Sequence, residues 1–151
     1  MVYRLAFAHA KNKSDADDVF QEVFLRYIKS NCKFESEEHE KAWFIRVTIN
    51  CVRKLWRSNW FRRMVSIDVN TLFEIQEVTI SQGVELEIEI YHVLMKLPLR
   101  YRTVIHLFYY EDLSVAQISR VLNVKESTIR TQLTRARTIL KEKLKGDFDY
   151  V

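Results

Sequence analysis

The polar residues between positions 126 and 135 have the types and spacing of a surface that binds nucleic acid. If a helix begins near Glu126, its exposed early turns present Glu126, Ser127, Arg130, Thr131, Thr134 and Arg135. An arginine fork bonds to guanine, serine and threonine hydroxyls bond to phosphates or base edges, and a helix N-terminus attracts phosphate. The same residues also fit the soluble basic face of an ordinary helical hairpin. The pattern alone leaves both interpretations open.

A second polar set lies in the N-terminal part of the chain. Arg46, Asn50, Arg53 and Arg57 follow one another at intervals of four, three and four residues, so a helix places all four on one face. Another side of the same helix is apolar and carries Ala42, Ile45, Ile49, Val52 and Trp56. These two patterns predict a helix over about residues 39–58.

The elements that must position the first set lie in residues 114–137, SVAQISRVLNVKESTIRTQLTRAR. Ser114 suits the N-cap of a short helix, with Gln117 completing a capping box. Asn123 stands where the chain must reverse, because asparagine tolerates left-handed backbone angles well. The residues predicted to be buried are Ile118, Val121, Leu122, Ile129, Leu133, Ala136, Leu140 and Leu144, and Gly146 is the predicted C-cap of the second helix. Helix, tight turn and helix make a helix-turn-helix, whose second helix can enter a DNA major groove.

Further helices are predicted on either side of these segments. One covers about residues 15–30, with Ser14 as its N-cap and a buried stripe of Val19, Phe20, Val23, Phe24, Tyr27 and Ile28. Two more precede the helix-turn-helix: residues 84–97, which Pro98 ends, and residues 100–112.

The composition predicts an all-α protein. The chain has 151 residues, enough for one moderate core or two small ones, and only two glycines and one proline, which favours helices joined by short loops. No run is long enough to span a bilayer and no signal peptide opens the chain, so we expect a soluble intracellular protein. Cys32 and Cys51 are expected to be free thiols in a reducing compartment, with a disulfide or a redox switch as the alternatives.

The charge distribution predicts two modules and a connector. Residues 1–63 carry 13 basic and 8 acidic residues, and residues 91–151 carry 11 basic and 6 acidic residues. The stretch between them, residues 64–90, has no lysine or arginine and six acids: Asp68, Glu74, Glu77, Glu85, Glu87 and Glu89. We therefore predict two small helical domains, residues 1–63 and 85–151, joined by an acidic linker over 64–84.

The two modules together resemble a family, the bacterial RNA polymerase sigma factors of the extracytoplasmic-function (ECF) group. In the first module the resemblance is carried by DADDVFQEVFLRYIKS and KAWFIRVTINCVRKLWRS, and in the second by LPLRYRTVIHLFYYEDLSVAQISRVLNVKESTIRTQLTRAR. It covers about residues 1–60 and 86–145. Two motif sets in the right order and spacing are far more specific than a lone helix-turn-helix.

The resemblance implies a factor that binds core RNA polymerase and directs it to promoters. The second module is similar to sigma region 4, whose recognition helix reads the −35 element, so the expected DNA-binding residues there are Ser127, Arg130, Thr131, Thr134 and Arg135. The first module is similar to region 2, which docks on the polymerase clamp and melts the −10 element. The residues that match its clamp-binding helix are Asp18, Gln21, Glu22 and Leu25.

The resemblance also gives the basic face of the first module a role at the −10 element. Asn50 matches the position that helps to read a base flipped from the non-template strand, and Phe34 in the preceding loop would help to wall that pocket. An unstacked base needs an apolar wall, an amide that donates and accepts, and cations for the backbone. Arg46, Asn50, Arg53 and Arg57 supply the polar half. The plainer interpretations are that Phe34 is a core residue and Asn50 a solvated one.

The expected partners are core RNA polymerase, promoter DNA and an anti-sigma factor, in the cytoplasm, with no membrane insertion and no small-molecule substrate. An acidic linker would avoid DNA and follow the basic RNA path through polymerase. The sequence shows no nucleophile motif, phosphate loop or metal cluster, so we expect no catalytic residue, cofactor or metal, and no enzyme. The alternative is a helix-turn-helix regulator with a sensor or dimerisation domain, which has no reason to expose Asp18, Gln21 and Glu22.

The sequence departs from the family pattern at three places. The first helix of the family begins upstream of VYRLAF, so the first helix here is expected to be truncated. Asn123 replaces the usual turn glycine, and Ser127 replaces a glycine often found early in the recognition helix. Ser127 thereby offers a hydroxyl where many relatives have none.

Overall fold

A computed structural model describes residues 1–10, 12–65 and 90–148 of the chain. Within these ranges every regular element is a helix, which confirms the predicted all-α class. Contacts divide the chain into two compact units, Met1–Ile75 and Gln76–Val151. No helix in the described ranges combines the length and hydropathy needed to cross a membrane.

Unit 1 is a three-helix unit made of α1 (Val2–Ala10), α2 (Lys13–Lys29) and α3 (Glu37–Val65). Each helix packs against the other two. One buried cluster shared by the three helices consists of small and β-branched residues together with one thiol: Val2, Ala6, Ala10, Ala16, Val19, Val23, Cys51 and Val52. Cys51 is buried here and Cys32 is exposed, and both are free thiols. Burial raises the pKa of the Cys51 thiol above its ordinary value, so the thiol is protonated at neutral pH.

Helix α2 begins before the predicted position. Its N-cap is Asn12, whose side chain accepts from the backbone N–H of Asp15 at 2.8 Å and donates to the Asp15 carboxylate at 2.7 Å. The prediction that Ser14 caps this helix is therefore wrong. Both residues have an aspartate three positions on, so the sequence pattern does not distinguish the two possible caps.

The predicted stripe of α2 is too wide. Val19 and Val23 are buried, but Phe20 is 36% exposed and Ile28 is 76% exposed, so their assignment to the core is wrong. Two neighbouring helices cover only a narrow sector of α2. Phe20 lies at the margin of that sector, with its ring centroid 5.8 Å from Tyr3 and 4.7 Å from Phe24.

Helix α3 contains the predicted segment 39–58 and extends beyond it at both ends. Its first turn is fixed by Ser36, whose hydroxyl accepts from the backbone N–H of His39 at 3.1 Å. Ile45, Ile49 and Val52 are buried as predicted, and Ala42 and Trp56 are half-buried. The indole N–H of Trp56 donates to the carbonyl of His9 at 3.2 Å, which ties α3 to the end of α1.

Unit 2 contains α4 (described over residues 90–95), α5 (Leu99–Ile105), α6 (Val115–Leu122) and α7 (Glu126–Phe148). Helix α5 follows Pro98, as predicted, and continues as a π-helical turn over His106–Tyr110. The core is formed by apolar side chains from all four helices: Val93, Met95, Val104, Ile105, Leu107, Ile118, Val121, Ile129, Leu133 and Ala136.

The turn between α6 and α7 has the predicted local geometry. The Ser114 hydroxyl accepts from the backbone N–H of Gln117, and the Gln117 side chain accepts from the backbone N–H of Ser114, which completes the capping box. Asn123 has left-handed angles, φ 54° and ψ 49°. The Ser119 hydroxyl closes the turn by donating to the carbonyl of Val124, a contact that the sequence pattern did not indicate.

The far end of α7 differs from its prediction. The helix runs to Phe148 and the described residues include no glycine with positive φ, so Gly146 is not its C-cap. Leu140 and Leu144 are half-buried rather than buried, because they line an apolar groove of about 610 Å³ together with Ile90, Leu94 and Tyr110. The predicted linker over 64–84 lies outside the described residues, apart from the last two residues of α3.

Candidate nucleic-acid interface

The first turns of α7 form an exposed polar surface. All six predicted polar residues are exposed, while Ile129, Leu133 and Ala136 hold the opposite side of the helix in the core of unit 2. The structure therefore places Ser127, Arg130, Thr131, Thr134 and Arg135 on one solvent-facing surface.

Arg130 is held by an ion pair on this surface. A guanidinium nitrogen, Nη2, donates to the Glu126 carboxylate at 2.9 Å, and the two side chains are 63% and 45% exposed. A surface pair of this kind adds little stability. It does hold the guanidinium over the first turn of α7, with donors left over from the five that arginine has.

The threonines are oriented by the helix backbone. The Thr131 hydroxyl donates to the carbonyl of Ser127 at 2.9 Å, and the Thr134 hydroxyl donates to the carbonyl of Arg130 at 3.0 Å. Because the hydroxyl proton is used within the helix, each oxygen is left as a hydrogen-bond acceptor for a base amino group.

A cleft of about 300 Å³ lies beside this surface and extends it to α5. It is lined from α7 by Ser127, Thr131 and Arg135, and from α5 by Arg100 and Tyr101. The Arg100 guanidinium carbon lies 4.8 Å from the centre of the Tyr101 ring. Sequence reasoning missed Arg100 and Tyr101, because only the packing of α5 on α7 brings them to the recognition helix. The signal that could have indicated them is the pair of arginines around the tyrosine in LPLRYR.

Tyr101 lies between α5 and α7 in this cleft with both arginines. Arg100 Nη2 donates to the Tyr101 hydroxyl at 3.3 Å, and Arg135 lines the same cleft from α7. Burial raises the pKa of Tyr101, but the two guanidinium groups outweigh that effect and lower the pKa below its ordinary value.

In unit 1, the basic face of α3 is exposed as predicted. The exposed residues are Arg46, Asn50, Arg53 and Arg57. The buried residues Ile45, Ile49 and Val52 fix the orientation of this face.

Phe34 is half-buried in an aromatic cluster at the loop between α2 and α3. Its ring stacks on Tyr27 with centroids 6.1 Å apart and planes 7° apart, and it lies edge-on to Trp43 at 5.8 Å. Tyr27 in turn donates to the Glu40 carboxylate at 3.1 Å. Phe34 thus packs on the beginning of α3, whereas Asn50 lies seven residues beyond Trp43, about 10 Å further along the helix.

The predicted docking residues lie along one exposed side of α2. Asp18, Gln21 and Leu25 are exposed, and Leu25 has 50% of its surface accessible. Glu22 is half-buried and accepts from Arg26 Nε at 2.7 Å, a hydrogen bond that lowers the pKa of the Glu22 carboxyl. Sequence reasoning placed Ile28 in the core, but its exposed side chain adds an apolar position one turn beyond Leu25.

The described residues contain no group of three histidine, cysteine or acidic side chains that could hold a metal ion.

Each of the two units matches the model of a known protein family. The model of sigma-70 region 2 matches residues 1–62, and the model of sigma-70 region 4 matches residues 87–140. These ranges include α1, most of α3 and the whole turn between α6 and α7.

Full-length relatives show the same similarity. The chain is 28% identical over 145 residues to the RNA polymerase sigma factor SigV of Bacillus subtilis, covering 94% of this chain and 83% of the relative. It is 27% identical over 157 residues to the ECF RNA polymerase sigma factor SigW of the same organism, covering 95% and 83%. With the ECF RNA polymerase sigma factor SigM of Bacillus subtilis the identity is 29% over 144 residues, covering 93% and 86%.

Two solved structures share the fold. The sigma factor RpoE of Bartonella quintana, crystallised with the anti-sigma factor NepR, gives a TM-score of 0.73 at 19% identity and covers 95% of this chain and 89% of that chain. CnrH, in complex with the cytosolic domain of CnrY, gives a TM-score of 0.66 at 22% identity. The match covers 97% of this chain and 81% of the CnrH chain.

The matches to regions 2 and 4 define the class: the chain belongs to the sigma-70 family of RNA polymerase sigma factors. Within that family it is an ECF-type sigma factor, a transcription initiation factor with a region 2 and a region 4 domain.

Proposed function

We propose that unit 2 reads the −35 element through the first turns of α7, with Ser127, Arg130, Thr131, Thr134 and Arg135 facing the major groove. The observation that carries this proposal is the shared exposure of these five residues on a helix whose other side is buried. Arg130 contributes a guanine-directed fork, and the threonine oxygens accept from base amino groups or lie against the sugar-phosphate backbone.

Unit 1 binds the −10 element in this proposal. Arg46, Arg53 and Arg57 lie along the non-template strand, and Asn50 hydrogen-bonds to an unstacked base. Phe34 is supported on its buried side by Tyr27 and Trp43, which suits a ring that forms the wall of a base pocket. Its half-exposed state fits this role better than a purely structural one.

Core RNA polymerase docks on the exposed side of α2. Asp18, Gln21 and Glu22 supply the polar contacts and Leu25 an apolar contact, to which we add Ile28. Ile28 has 76% of its surface exposed and lies one turn beyond Leu25, so a partner that covers both side chains removes their apolar surface from water. The pairing of Glu22 with Arg26 keeps the carboxylate charged and fixed in place.

The domain boundaries proposed for these activities are residues 1–63 and 85–151, with 64–84 as the linker. We propose further that the protein acts in the cytoplasm, where it binds polymerase and DNA without catalysis of its own. An anti-sigma factor is the proposed regulator, because one solved structure with this fold is a sigma factor in complex with an anti-sigma factor.

In vitro selection tests the assignment of the −35 residues. Core polymerase carrying the chain is used to select duplexes from a random-sequence library, and the selection is repeated with Arg130→Ala and with Arg120→Ala, an exposed arginine on α6. We expect Arg130→Ala to relax the preference at one or two adjacent positions and Arg120→Ala to leave the selected sequence unchanged. An unchanged sequence with Arg130→Ala would exclude base reading by this residue.

A further inference from the structure

Two arginines from different helices lie in one cleft with a buried tyrosine, next to the proposed reading surface. Tyr101 is 7% exposed, its hydroxyl accepts from Arg100 of α5 at 3.3 Å, and Arg135 of α7 lines the same cleft. Arg100 also lies over the Tyr101 ring at 4.8 Å, so two contacts fix its guanidinium.

The surroundings of this pair favour an anion. Within the described part of unit 2, the lining of the cleft consists of the two arginines, Tyr101, three hydroxyl side chains and one amide, with no carboxylate. Two guanidinium groups that line one cleft repel each other, and an oxyanion placed between them removes that repulsion. The charged fork of arginine matches a phosphate, and the Ser127 and Thr128 hydroxyls can donate to phosphate oxygens.

The position of the cleft identifies the source of the phosphate. Ser127 and Thr131 line the cleft and also belong to the proposed −35 surface, so a duplex seated on α7 brings its backbone to the mouth of the cleft. Arg100 then contacts DNA from a second helix, outside the recognition helix.

We propose that Tyr101 is a positioning residue that holds Arg100 beside Arg135 as one binding site for a backbone phosphate of the promoter duplex. The proposal rests on the proposed function in that unit 2 must lie on DNA. Without the phenol hydroxyl, the Arg100 side chain regains its freedom to change rotamer. DNA binding must then order this side chain, and the lost conformational entropy weakens the affinity for DNA.

The test measures binding of the full chain to a random-sequence duplex over a range of salt concentrations. The variants are Tyr101→Phe, Arg100→Ala and the double variant. Lys143→Ala serves as the control, since this exposed lysine of α7 lies outside the cleft lining. Loss of one phosphate contact lowers the slope of log affinity against log salt by about 0.9, which is the change expected for Arg100→Ala.

Tyr101→Phe keeps the buried ring and every charge, and it removes only the hydroxyl. We expect it to weaken binding by about 2- to 10-fold, the range that corresponds to one or two hydrogen bonds. In the Arg100→Ala background the same change should have a smaller effect, because the residue it positions is absent. A tyrosine NMR titration gives an independent readout: Arg100→Ala should raise the pKa of Tyr101 toward its ordinary value.

The proposal is overturned if Tyr101→Phe lowers the melting temperature of the chain but leaves DNA affinity unchanged, since Tyr101 is then only structural. It is also overturned if Arg100→Ala leaves the salt slope unchanged, or if Lys143→Ala changes the slope equally. Because the duplex has random sequence, these outcomes do not depend on −35 reading, and a failure to select any −35 sequence would count against the proposed function alone.

Discussion

At the scale of single residues, we propose that sequence discrimination in unit 2 depends on Arg130. Its side chain is exposed, anchored to Glu126 at 2.9 Å, and located on the first turns of a helix that is buried on its other side. An anchored fork loses less entropy on meeting a base than a mobile one. The exposure of these residues was predictable, because burial of the apolar series in α7 leaves the remaining positions in solvent.

Arg130→Ala should cost about 1–3 kcal/mol at the base that Arg130 reads, and little at other positions. Competition binding against single-base variants of the selected −35 duplex measures this. Uniform weakening across all the duplexes would make Arg130 a phosphate contact instead.

Asn50→Ala should impair promoter opening without affecting polymerase or −35 binding. Removing the amide takes away hydrogen bonds to the flipped base, and we expect opening to fall on the order of tenfold. Permanganate footprinting of the holoenzyme on promoter DNA reports the opening, and native gel shifts with core polymerase provide the control. If Asn50→Ala opens the promoter as well as the wild type does, Asn50 is a solvated residue.

The residues that sequence reasoning missed are those whose role depends on a distant neighbour. Arg100 and Tyr101 reach the recognition surface only because α5 packs on α7, and no local pattern reports that contact. The prediction for Ile28 was wrong for a different reason, because a local pattern placed this residue in the core. It fits the helical period of the α2 stripe, yet it is 76% exposed because α1 and α3 cover only the sector of Ala16, Val19 and Val23.

At the scale of elements, the turn between α6 and α7 was the most predictable part of the fold. Its capping box and its left-handed residue are both encoded within a few positions, so local chemistry is sufficient. Helix α2 was less predictable at its start, because Asn12 and Ser14 both precede an aspartate by three residues and suit the N-cap equally.

Asn123→Ala should destabilise unit 2 by about 1–2 kcal/mol, because a side chain with a Cβ and no polar group is unfavourable at φ 54°. Asn123→Gly is the matched variant, which keeps the turn and should remain close to the wild type in stability. Urea unfolding followed by circular dichroism compares the two. Equal destabilisation by both variants would show that the Asn123 side chain stabilises the turn by some contact other than its tolerance of left-handed angles.

Ile28→Arg tests the docking side of α2. Since the side chain is exposed, the change should leave folding intact, while an unfavourable charge at the interface should weaken core polymerase binding by on the order of tenfold or more. Asn31→Arg, at an exposed position in the following loop, adds the same charge away from the helix and should bind core normally. Unimpaired binding by Ile28→Arg would place the polymerase contact elsewhere on unit 1.

At the scale of the whole molecule, the two units and the segment between them differ in the sign of their net charge. Two basic segments flank residues 64–90, which carry six acids and no lysine or arginine. Composition predicts two modules and a connector between them. It assigns no path to the connector, because net charge alone specifies no backbone geometry.

Replacing the six acids of residues 64–90 by glutamine and asparagine tests whether the charge of this acidic stretch matters. If the connector follows a basic path in polymerase, the neutral variant should bind core more weakly and support less transcription, most clearly at low salt. Binding assays and single-round transcription at two salt concentrations measure both effects. Unchanged core binding and unchanged transcription would contradict the hypothesis that the negative charge of the connector contributes to its binding on polymerase.

Run-off transcription tests the central claim most directly: core RNA polymerase is mixed with the full chain on a library of promoter fragments. The account predicts that the chain binds core and starts transcription from fragments that share two sequence blocks, and that Arg130→Ala and Asn50→Ala each impair the response to one of these blocks. DNA binding by the chain without any association with core polymerase would contradict the account, and would favour a helix-turn-helix regulator instead.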